Sequence, residues 1–508
     1  METSENKKRP QRSAYSQIVF ISVSGLVCVS GGMALGHSAV LLPELQSSNS
    51  SIVVDEETGS WIASVYSFTT PIGCLFGGVA MDVWGRKRAC IIFTLLMVLG
   101  WTVIAGSQDI TMLLVARIIE GFSRGAALTI LSVYGDELVS PKLRGTILTG
   151  NACFVSLGIM VISVLSAMVD WRTGSGIAAG VSAISLFSTA LIPESPMWLV
   201  RKKRMTAAER SLQWLCGPGR YLEVKEELLE LQKRLCIPSE NVIGNKITSK
   251  DRISQSVHLV RQFLKPNILK PFLISHFFNT IQCICGLNLF TYYSIDILSK
   301  LRRNSSHGPD DVIANIILSV VRLAATLLTA VLLIWVGRRP VGIVSGLGSF
   351  FFATALGILI TVQASENRYP ISDAIESWLN FSIVLLFFVF ISLGFFVLPA
   401  IMIGELQHST TRSYVCGYIY TTNDLILGAV IKEYPSLSNN LGMNGLFFLF
   451  GSSCLVCTVF IILFLPETKD RTLFEIEDYF KQDNVLWLNR KKATCTPSYA
   501  STVDLVDG

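Results

Sequence analysis

Apolar residues dominate the chain and are gathered into twelve long runs that are separated by shorter polar stretches. A run of about 20 apolar residues is long enough to cross a membrane as a helix. The runs lie at 17–42, 58–81, 89–106, 111–134, 146–169, 174–192, 269–298, 312–336, 341–362, 377–403, 414–431 and 441–465. The pattern predicts an all-α membrane protein with twelve transmembrane helices in two bundles of six.

A long polar stretch separates the sixth run from the seventh. The predicted division is therefore a terminal segment 1–16, a first bundle 17–192, a loop 193–268, a second bundle 269–465 and a tail 466–508. Within the loop, Thr206 and Glu209 have the spacing of a capping box, which predicts the start of an amphipathic helix. Gly217 and Pro218 predict its end, and residues 224–235 predict a second helix.

The composition agrees with a membrane protein and excludes several other classes. Hydrophobic residues make up 51% of the chain and charged residues 16%, whereas soluble domains have about 25% charged residues. The net charge of +5 is spread over loops, so nucleic acid is not an expected partner. No nucleotide loop, metal cluster or nucleophile–base pair is visible, which predicts a non-enzymatic protein without cofactor or metal. The lipid bilayer is the expected environment, and no obligate protein partner is indicated.

Basic residues predict the orientation, because cytoplasmic loops carry an excess of Lys and Arg. They follow the second, fourth, sixth and eighth runs, at Arg86, Lys87, Arg88, Lys142, Arg144, Arg201, Lys202, Lys203, Arg204, Arg338 and Arg339. Both termini should then be cytoplasmic. Glycosylation triplets begin at Asn49 and Asn304, in predicted outside loops, and a third at Asn380 lies within a run and should be unused.

The two halves of the chain repeat the same polar motifs at the same points of the topology. The matched pairs are Gly85-Arg86-Lys87 with Gly337-Arg338-Arg339, Glu137 and Arg144 with Glu405 and Arg412, and Pro193-Glu194-Ser195 with Pro466-Glu467-Thr468. The chain is therefore predicted to be a duplicated six-span unit. Two similar bundles with a site between them can expose that site alternately to each side of a membrane.

The repeated charges suggest a latch on the cytoplasmic face, which would join the bundles in one state and release them in another. Each exposed pair would contribute about 0.2–1 kcal/mol. Ile334 stands where an acid would match Asp82, so the latch of the second half should be weaker. The alternative is that the residues are ordinary basic anchors with incidental acids. The predicted latch comprises Asp82, Arg86, Glu137, Arg144, Glu194, Arg338, Glu405, Arg412 and Glu467.

These motifs resemble those of the sugar-porter branch of the major facilitator superfamily over nearly the whole chain. The matching segments are 77–87, 134–145, 193–199, 282–293 and 464–475. Met197 stands where the family usually has Arg. Within the family, the segments 59–61, 211–215 and 404–405 most resemble insect facilitated trehalose transporters.

The resemblance implies a sugar site built from neutral amides, which satisfy hydroxyl groups as both donors and acceptors. Gln282, Asn288 and Asn423 stand at matching positions and are the expected substrate ligands, while Tyr292 and Tyr293 are the expected gating aromatics. The pattern is incomplete at three positions that usually carry Gln, Gln and Trp. These positions hold Cys283, Ala152 and Ala400.

Arg322 stands where the family usually has Asn. A charge near the bilayer centre is costly unless it faces water or has a partner. One prediction is that Arg322 contacts the substrate, either by binding a negative charge on it or by restricting which sugars fit. The alternative is a structural ion pair between Arg322 and Asp424. Glu120 and Arg124, four residues apart, are a second predicted buried pair.

The first run carries Gly36, His37 and Ser38 where proton-coupled relatives carry an acid, which favours facilitated diffusion. The resemblance thus implies a sugar facilitator of the plasma membrane, with trehalose or a hexose as small-molecule substrate. Two alternatives stay open: a carrier of another organic solute, anionic solutes included, and a nutrient sensor that does not transport.

Overall fold

The structure is a computed structural model. It describes residues 12–47, 52–139, 144–236, 265–302, 309–365, 372–407, 412–469, 471, 476 and 479–480, with backbone alone for 144–148, 234–236, 267 and 412–414. The predicted glycosylation sites Asn49 and Asn304 lie outside the described residues.

The described residues form helices and no strand. The first half contains α1 (Ala14–Gln46), α2 (Glu56–Trp84), α3 (Arg86–Ala105), α4 (Ile110–Leu138), α5 (Arg144–Ser166) and α6 (Trp171–Thr189). The connecting segment contains α7 (Pro196–Arg201), α8 (Met205–Cys216) and α9 (Tyr221–Cys236). The second half contains α10 (Pro266–Ile284), α11 (Leu287–Arg302), α12 (Asp311–Trp335), α13 (Arg338–Ala364), α14 (Asp373–Gly394), α15 (Leu398–Leu406) and α16 (Arg412–Leu463).

Nine segments of the described chain are long and apolar enough to cross a membrane. Helices α4 and α6 have a suitable length, 29 and 19 residues, but are more polar. Helix α16 is 52 residues long and is interrupted at Gly442, which adopts φ +67°. Counting α4 and α6 as spans and dividing α16 at Gly442 gives the twelve spans that the sequence predicts.

Gly442 reverses the direction of the chain. Before it, Gly428 of α16 faces Phe68 of α2, and after it Phe448 faces Gly357 of α13. The two parts of α16 therefore pack against different helices. A positive φ is strained for residues with a side chain, so glycine is suited to this reversal.

Two of the predicted spans consist of two helices each in the structure. The seventh span is divided into α10 and α11 at Gly286, which has φ +99°. The tenth span is divided into α14 and α15, and Pro399 lies in the first turn of α15. Proline cannot donate the backbone hydrogen bond of a helix interior, but it is accepted in a first turn.

Helices α1–α6 form one bundle and α10–α16 the other. In the first bundle α2 packs on α4, α1 on α5, and α3 on both α4 and α6. In the second bundle α13 packs on α14 and α16, and α10 on α16. The bundles meet through α1 with α11, α2 with α16 and α5 with α12. The end of the molecule that carries Arg86 and Arg338 is here called the basic end, and the end that carries Pro43 and Asp55 the opposite end.

The connecting helices lie at the basic end. The backbone N–H of Ser13 and the hydroxyl of Ser16, at the start of α1, both donate to the carbonyl of Leu215 in α8. The predicted capping box was wrong: α8 begins at Met205, so Thr206 lies inside it. The chain turns earlier than the box predicts, because Lys203 adopts φ +59°.

Candidate functional site

A seam of polar contacts joins the two bundles. It contains hydrogen bonds of 2.8–3.3 Å between small hydroxyl, amide, carboxylate and ammonium groups. The pairs are Ser67 with Tyr292, Ser156 with Thr326, Ser163 with Asn315 and Ser319, Ser60 with Lys432, and Glu56 with Asn439. Ser156 and Thr326 lie near the middle of their helices, and the other pairs lie toward the opposite end, so these contacts hold the bundles together on that side.

Most of this seam was missed by sequence reasoning, although α12 carries a signal that could have found it. Its polar residues recur every three or four positions, which places them on one helix face. All of them are buried between the bundles or against α14. They are Asn315, Ser319, Arg322, Thr326 and Thr329.

A small chamber lies inside this seam, lined from α1, α5, α11, α12 and α14. We call it the arginine chamber, because Arg322 is its charged residue. Arg322 is 2% exposed, and its Nη2 donates to Thr291 Oγ1 at 2.7 Å. The other polar residues that line the chamber are Ser163, Ser294, Asn315 and Ser319.

The predicted ion pair between Arg322 and Asp424 is not formed. Asp424 instead interacts electrostatically with Arg124, on the facing bundle. The guanidinium of Arg322 lies over the rings of Phe388 and Phe396, at 5.0 and 5.5 Å from their centres. Arg322 therefore contacts aromatic faces and a hydroxyl group, not a carboxylate.

Glu120 and Arg124 were also predicted to pair, and this was wrong. Glu120 accepts a 2.9 Å hydrogen bond from Arg117, one turn earlier on α4, and both side chains are fully buried. Arg117 also donates to the carbonyl of Ala34 at 3.1 Å and lies over the ring of Tyr66. Its additional backbone partner explains why the acid faces Arg117 and not Arg124. This network lies within the first bundle.

The predicted amides lie around the break between α10 and α11. Gln282 precedes Gly286 and is 7% exposed, while Asn288 follows it and is half-buried. Asn423 of α16 joins them from the other side, since its Oδ1 accepts from the Sγ of Cys283 at 3.0 Å. The structure thus gathers Gln282, Asn288 and Asn423 near one junction, outside the lining of the arginine chamber.

The two predicted gating aromatics lie at the opposite end, next to the contact between bundles. Tyr292 is hydrogen-bonded to Ser67 of α2, and Tyr293 donates to the carbonyl of Ile431 at 3.1 Å. The ring of Tyr293 stacks on Tyr434, with 4.2 Å between ring centres. The three tyrosines line a second small chamber, here called the tyrosine chamber.

At the basic end, the first bundle contains a tight cluster of predicted latch residues. Arg86 Nη2 donates to Glu137 Oε1 at 2.9 Å, and Arg86 Nη1 lies 3.4 Å from Asp82. Glu194 accepts from the backbone N–H groups of Arg86 and Lys87 at 2.8 and 3.1 Å, which places a carboxylate at the N-terminus of α3. These contacts join α2, α3, α4 and the end of the first bundle.

The second bundle repeats this arrangement with a more exposed pair. Arg338 Nη2 donates to Glu405 Oε1 at 2.9 Å, and Glu467 accepts from the backbone N–H of Arg338 at 3.1 Å. The side chains of Arg338 and Glu405 are 21% and 26% exposed, against 3% and 9% for Arg86 and Glu137. The described pairs thus join helices within a bundle, whereas the sequence suggested bridges between bundles. The side chains of Arg144 and Arg412 lie outside the description.

The sequence profile of a family described as "Sugar (and other) transporter" matches residues 23–480. The chain belongs to this family. Curated relatives have the name facilitated trehalose transporter Tret1. The protein of Culex quinquefasciatus is 29% identical over 474 residues, which cover 92% of this chain and 87% of the relative. That of Apis mellifera ligustica is 27% identical over 480 residues, 94% of this chain and 90% of the relative.

Another relative, from Aedes aegypti, is 28% identical over 467 residues, and the match spans 55% of that longer protein. Solved structures show the fold. The xylose transporter XylE from E. coli in an inward open conformation aligns with a TM-score of 0.69 and 18% identity, over 90% of this chain and 98% of that one. The chain therefore has the major facilitator fold of a multi-pass membrane protein. The relatives named here are transporters.

Proposed function

We propose that the protein moves a sugar across the plasma membrane by facilitated diffusion, with trehalose or a hexose as substrate. The observation that carries this proposal is the buried polar seam between two repeated bundles, which is where carriers of this architecture bind their solutes. The family match and the names of the curated relatives support the sugar. The protein is proposed to be a carrier and not an enzyme.

The proposed mechanism is alternating access. The bundles contact each other through hydrogen bonds toward the opposite end and near the middle. If the basic end is cytoplasmic, the structure is closed on the outside. Opening to the outside would then require breaking contacts such as Ser163–Ser319 and Ser60–Lys432. Each of these contacts is a single hydrogen bond, which contributes about 0.5–1.5 kcal/mol net, so a modest free energy separates the states.

The proposed substrate ligands are Gln282, Asn288 and Asn423, with Arg322 at the deeper chamber. The amides face one junction and bring donors and acceptors without a charge. Tyr292 and Tyr293 are proposed to close the pathway at the opposite end, because they hold α11 against α2 and α16. We propose that the charges of the predicted latch stabilise each bundle, and that Glu137 with Arg144 and Glu405 with Arg412 change partners during rocking.

Uptake measurements test the proposal. Cells that express the protein should take up labelled trehalose or glucose in a saturable way that does not depend on a proton gradient. Gln282→Ala should reduce the uptake about tenfold, since a lost hydrogen bond to a substrate held in a buried site costs about 1–2 kcal/mol. Gln213→Ala, on α8 away from the seam, is the matched control. Background uptake of both sugars, with the protein demonstrably at the surface, would contradict the sugar assignment.

The orientation is proposed from the charges: the basic end, both termini and helices α7–α9 are cytoplasmic. Asn49 and Asn304 should then both carry glycans, whereas Asn380, which is buried and hydrogen-bonded to Gln363, should not. Glycosidase treatment should increase the mobility of the wild-type protein on a gel. The Asn49→Gln and Asn304→Gln variants should each lose part of that shift, and Asn380→Gln none. A wild-type protein at the cell surface whose mobility does not change on glycosidase treatment would contradict the orientation.

A carrier of an anionic organic solute is the second candidate, and Arg322 in its chamber is the observation that favours it. A non-transporting sensor is the third, motivated by the departures at Cys283, Ala152 and Ala400. Uptake that is saturable for a charged solute only would select the second candidate.

A further inference from the structure

The guanidinium of Arg322 is buried but incompletely bonded. Nη2 donates to Thr291 Oγ1 at 2.7 Å and approaches the carbonyl of Leu287 at 3.4 Å. Nε and Nη1 are buried without any hydrogen-bond partner. Buried donors are nearly always paired, and a buried charge without a partner is especially costly. Two of the three guanidinium nitrogens of Arg322 thus have no hydrogen-bond acceptor.

The charge of Arg322 is also without a counter-ion. Two other arginines of the described spans have acidic neighbours: Arg117 pairs with Glu120, and Arg124 interacts with Asp424. Among the described residues no carboxylate forms an ion pair with Arg322, and none lines the arginine chamber. The arginine chamber therefore holds one uncompensated positive charge.

The aromatic rings beside Arg322 do not satisfy the hydrogen-bonding capacity of its guanidinium edge. Phe388 and Phe396 lie against its face, and such contacts do not use the N–H groups. The rest of the lining offers hydroxyl and amide groups from Ser163, Ser294 and Asn315 and no acid. The guanidinium of Arg322 is thus the one charged group in the lining of this chamber, and the other polar groups there are neutral.

We propose that the arginine chamber is an anion site that binds one negatively charged group against Nε and Nη1 of Arg322. The group is either the carboxylate of a transported sugar acid or a free halide such as chloride that binds beside a neutral sugar. The carboxylate arm rests on the second candidate function, transport of an anionic solute; the halide arm rests on neither candidate.

Thermal unfolding of the purified full-length protein tests the site. The probes are sodium chloride, sodium glucuronate and glucose, each titrated at constant ionic strength in a buffer whose anion is the bulky sulfonate MES. The variants are Arg322→Gln, Arg322→Lys and, as a matched control, Arg172→Gln. Arg172 lies over the ring of Trp171 at the opposite end, away from the chamber. Uptake of glucose is measured in parallel.

Chloride or glucuronate should raise the unfolding temperature of the wild type and of Arg172→Gln in a saturable way. In Arg322→Gln the half-saturating concentration should rise at least tenfold, because charge-assisted hydrogen bonds are lost. Arg322→Lys keeps the charge but not the planar fork, so its value should rise about threefold or more. If chloride raises the unfolding temperature, the halide arm is identified. If glucuronate raises it and chloride does not, the carboxylate arm is identified.

No saturable response of the wild type to either anion, or an equal response of Arg322→Gln, would overturn the proposal. If Arg322→Gln is not recovered folded, an unchanged half-saturating concentration in Arg322→Lys overturns it. The proposed function fails separately, by absence of sugar uptake. A protein that responds to chloride but takes up no sugar keeps the anion site and loses the carrier assignment.

Discussion

Replacing Gly73 by valine should leave little or no folded protein. A Cβ atom on Gly73 would lie 2.0 Å from the backbone carbonyl oxygen of Phe122, on α4. The obstacle is backbone of a packed helix, so no side-chain rotation relieves the contact. Overpacking of a core typically lowers the free energy of unfolding by about 1–3 kcal/mol and occasionally more. The valine would force α2 away from α4, so we expect a larger loss of stability than this range.

Gly78 offers a control on the same helix. A Cβ atom there meets nothing within 4 Å, so Gly78→Val should change the stability by at most about 0.5 kcal/mol. The measurement is the monodisperse fraction in size-exclusion chromatography after detergent extraction, together with the thermal unfolding midpoint. A Gly73→Val protein as abundant and as stable as Gly78→Val would contradict the close contact between α2 and α4.

Removing Glu137 should destabilise the protein much more than removing its repeat partner Glu405. Arg86 and Glu137 are 3% and 9% exposed, so Glu137→Ala leaves a buried arginine that has lost its closest acid. Loss of one partner from a buried ion pair costs about 3–5 kcal/mol. The remaining contact to Asp82, whose side chain is 66% exposed, should offset only part of this loss.

Arg338 and Glu405 form a bridge of the same length, 2.9 Å, but are partly exposed to solvent. Glu405→Ala should therefore cost about 1 kcal/mol, the upper part of the range for exposed pairs. Thermal unfolding of both variants beside the wild type measures the difference. Equal shifts of the two midpoints would mean that burial does not govern the strength of these repeated bridges.

The repeated motifs show which structural features can be predicted from the sequence. Matching glycines and arginines predict two similar units, and the structure gives Gly85 and Gly337 nearly the same backbone angles, φ +97° and +100°. Local rules were sufficient here because each motif ends one helix and starts the next. They failed for Thr206, whose capping pattern was overridden by the turn at Lys203.

The partners of the buried charged residues could not be predicted from the sequence. Helical spacing alone allows Glu120 to meet Arg117 or Arg124, which are three and four residues away. The choice of Arg117 depends on the carbonyl of Ala34 in α1, a residue that is far away in the sequence. For the same reason Asp424 was assigned to Arg322, although packing places it near Arg124.

By itself, the sequence determined the membrane class, the twofold repeat, the family and the basic end, since these depend on local apolarity, motif spacing and loop charge. Only the tertiary structure decided where the long spans break, which charges pair and which cation stays uncompensated. These features depend on contacts between distant helices, and a chain of helices with equal periodicity does not specify them. Arg322 illustrates the division, because the sequence marks it as unusual and only packing reveals its two unused donors.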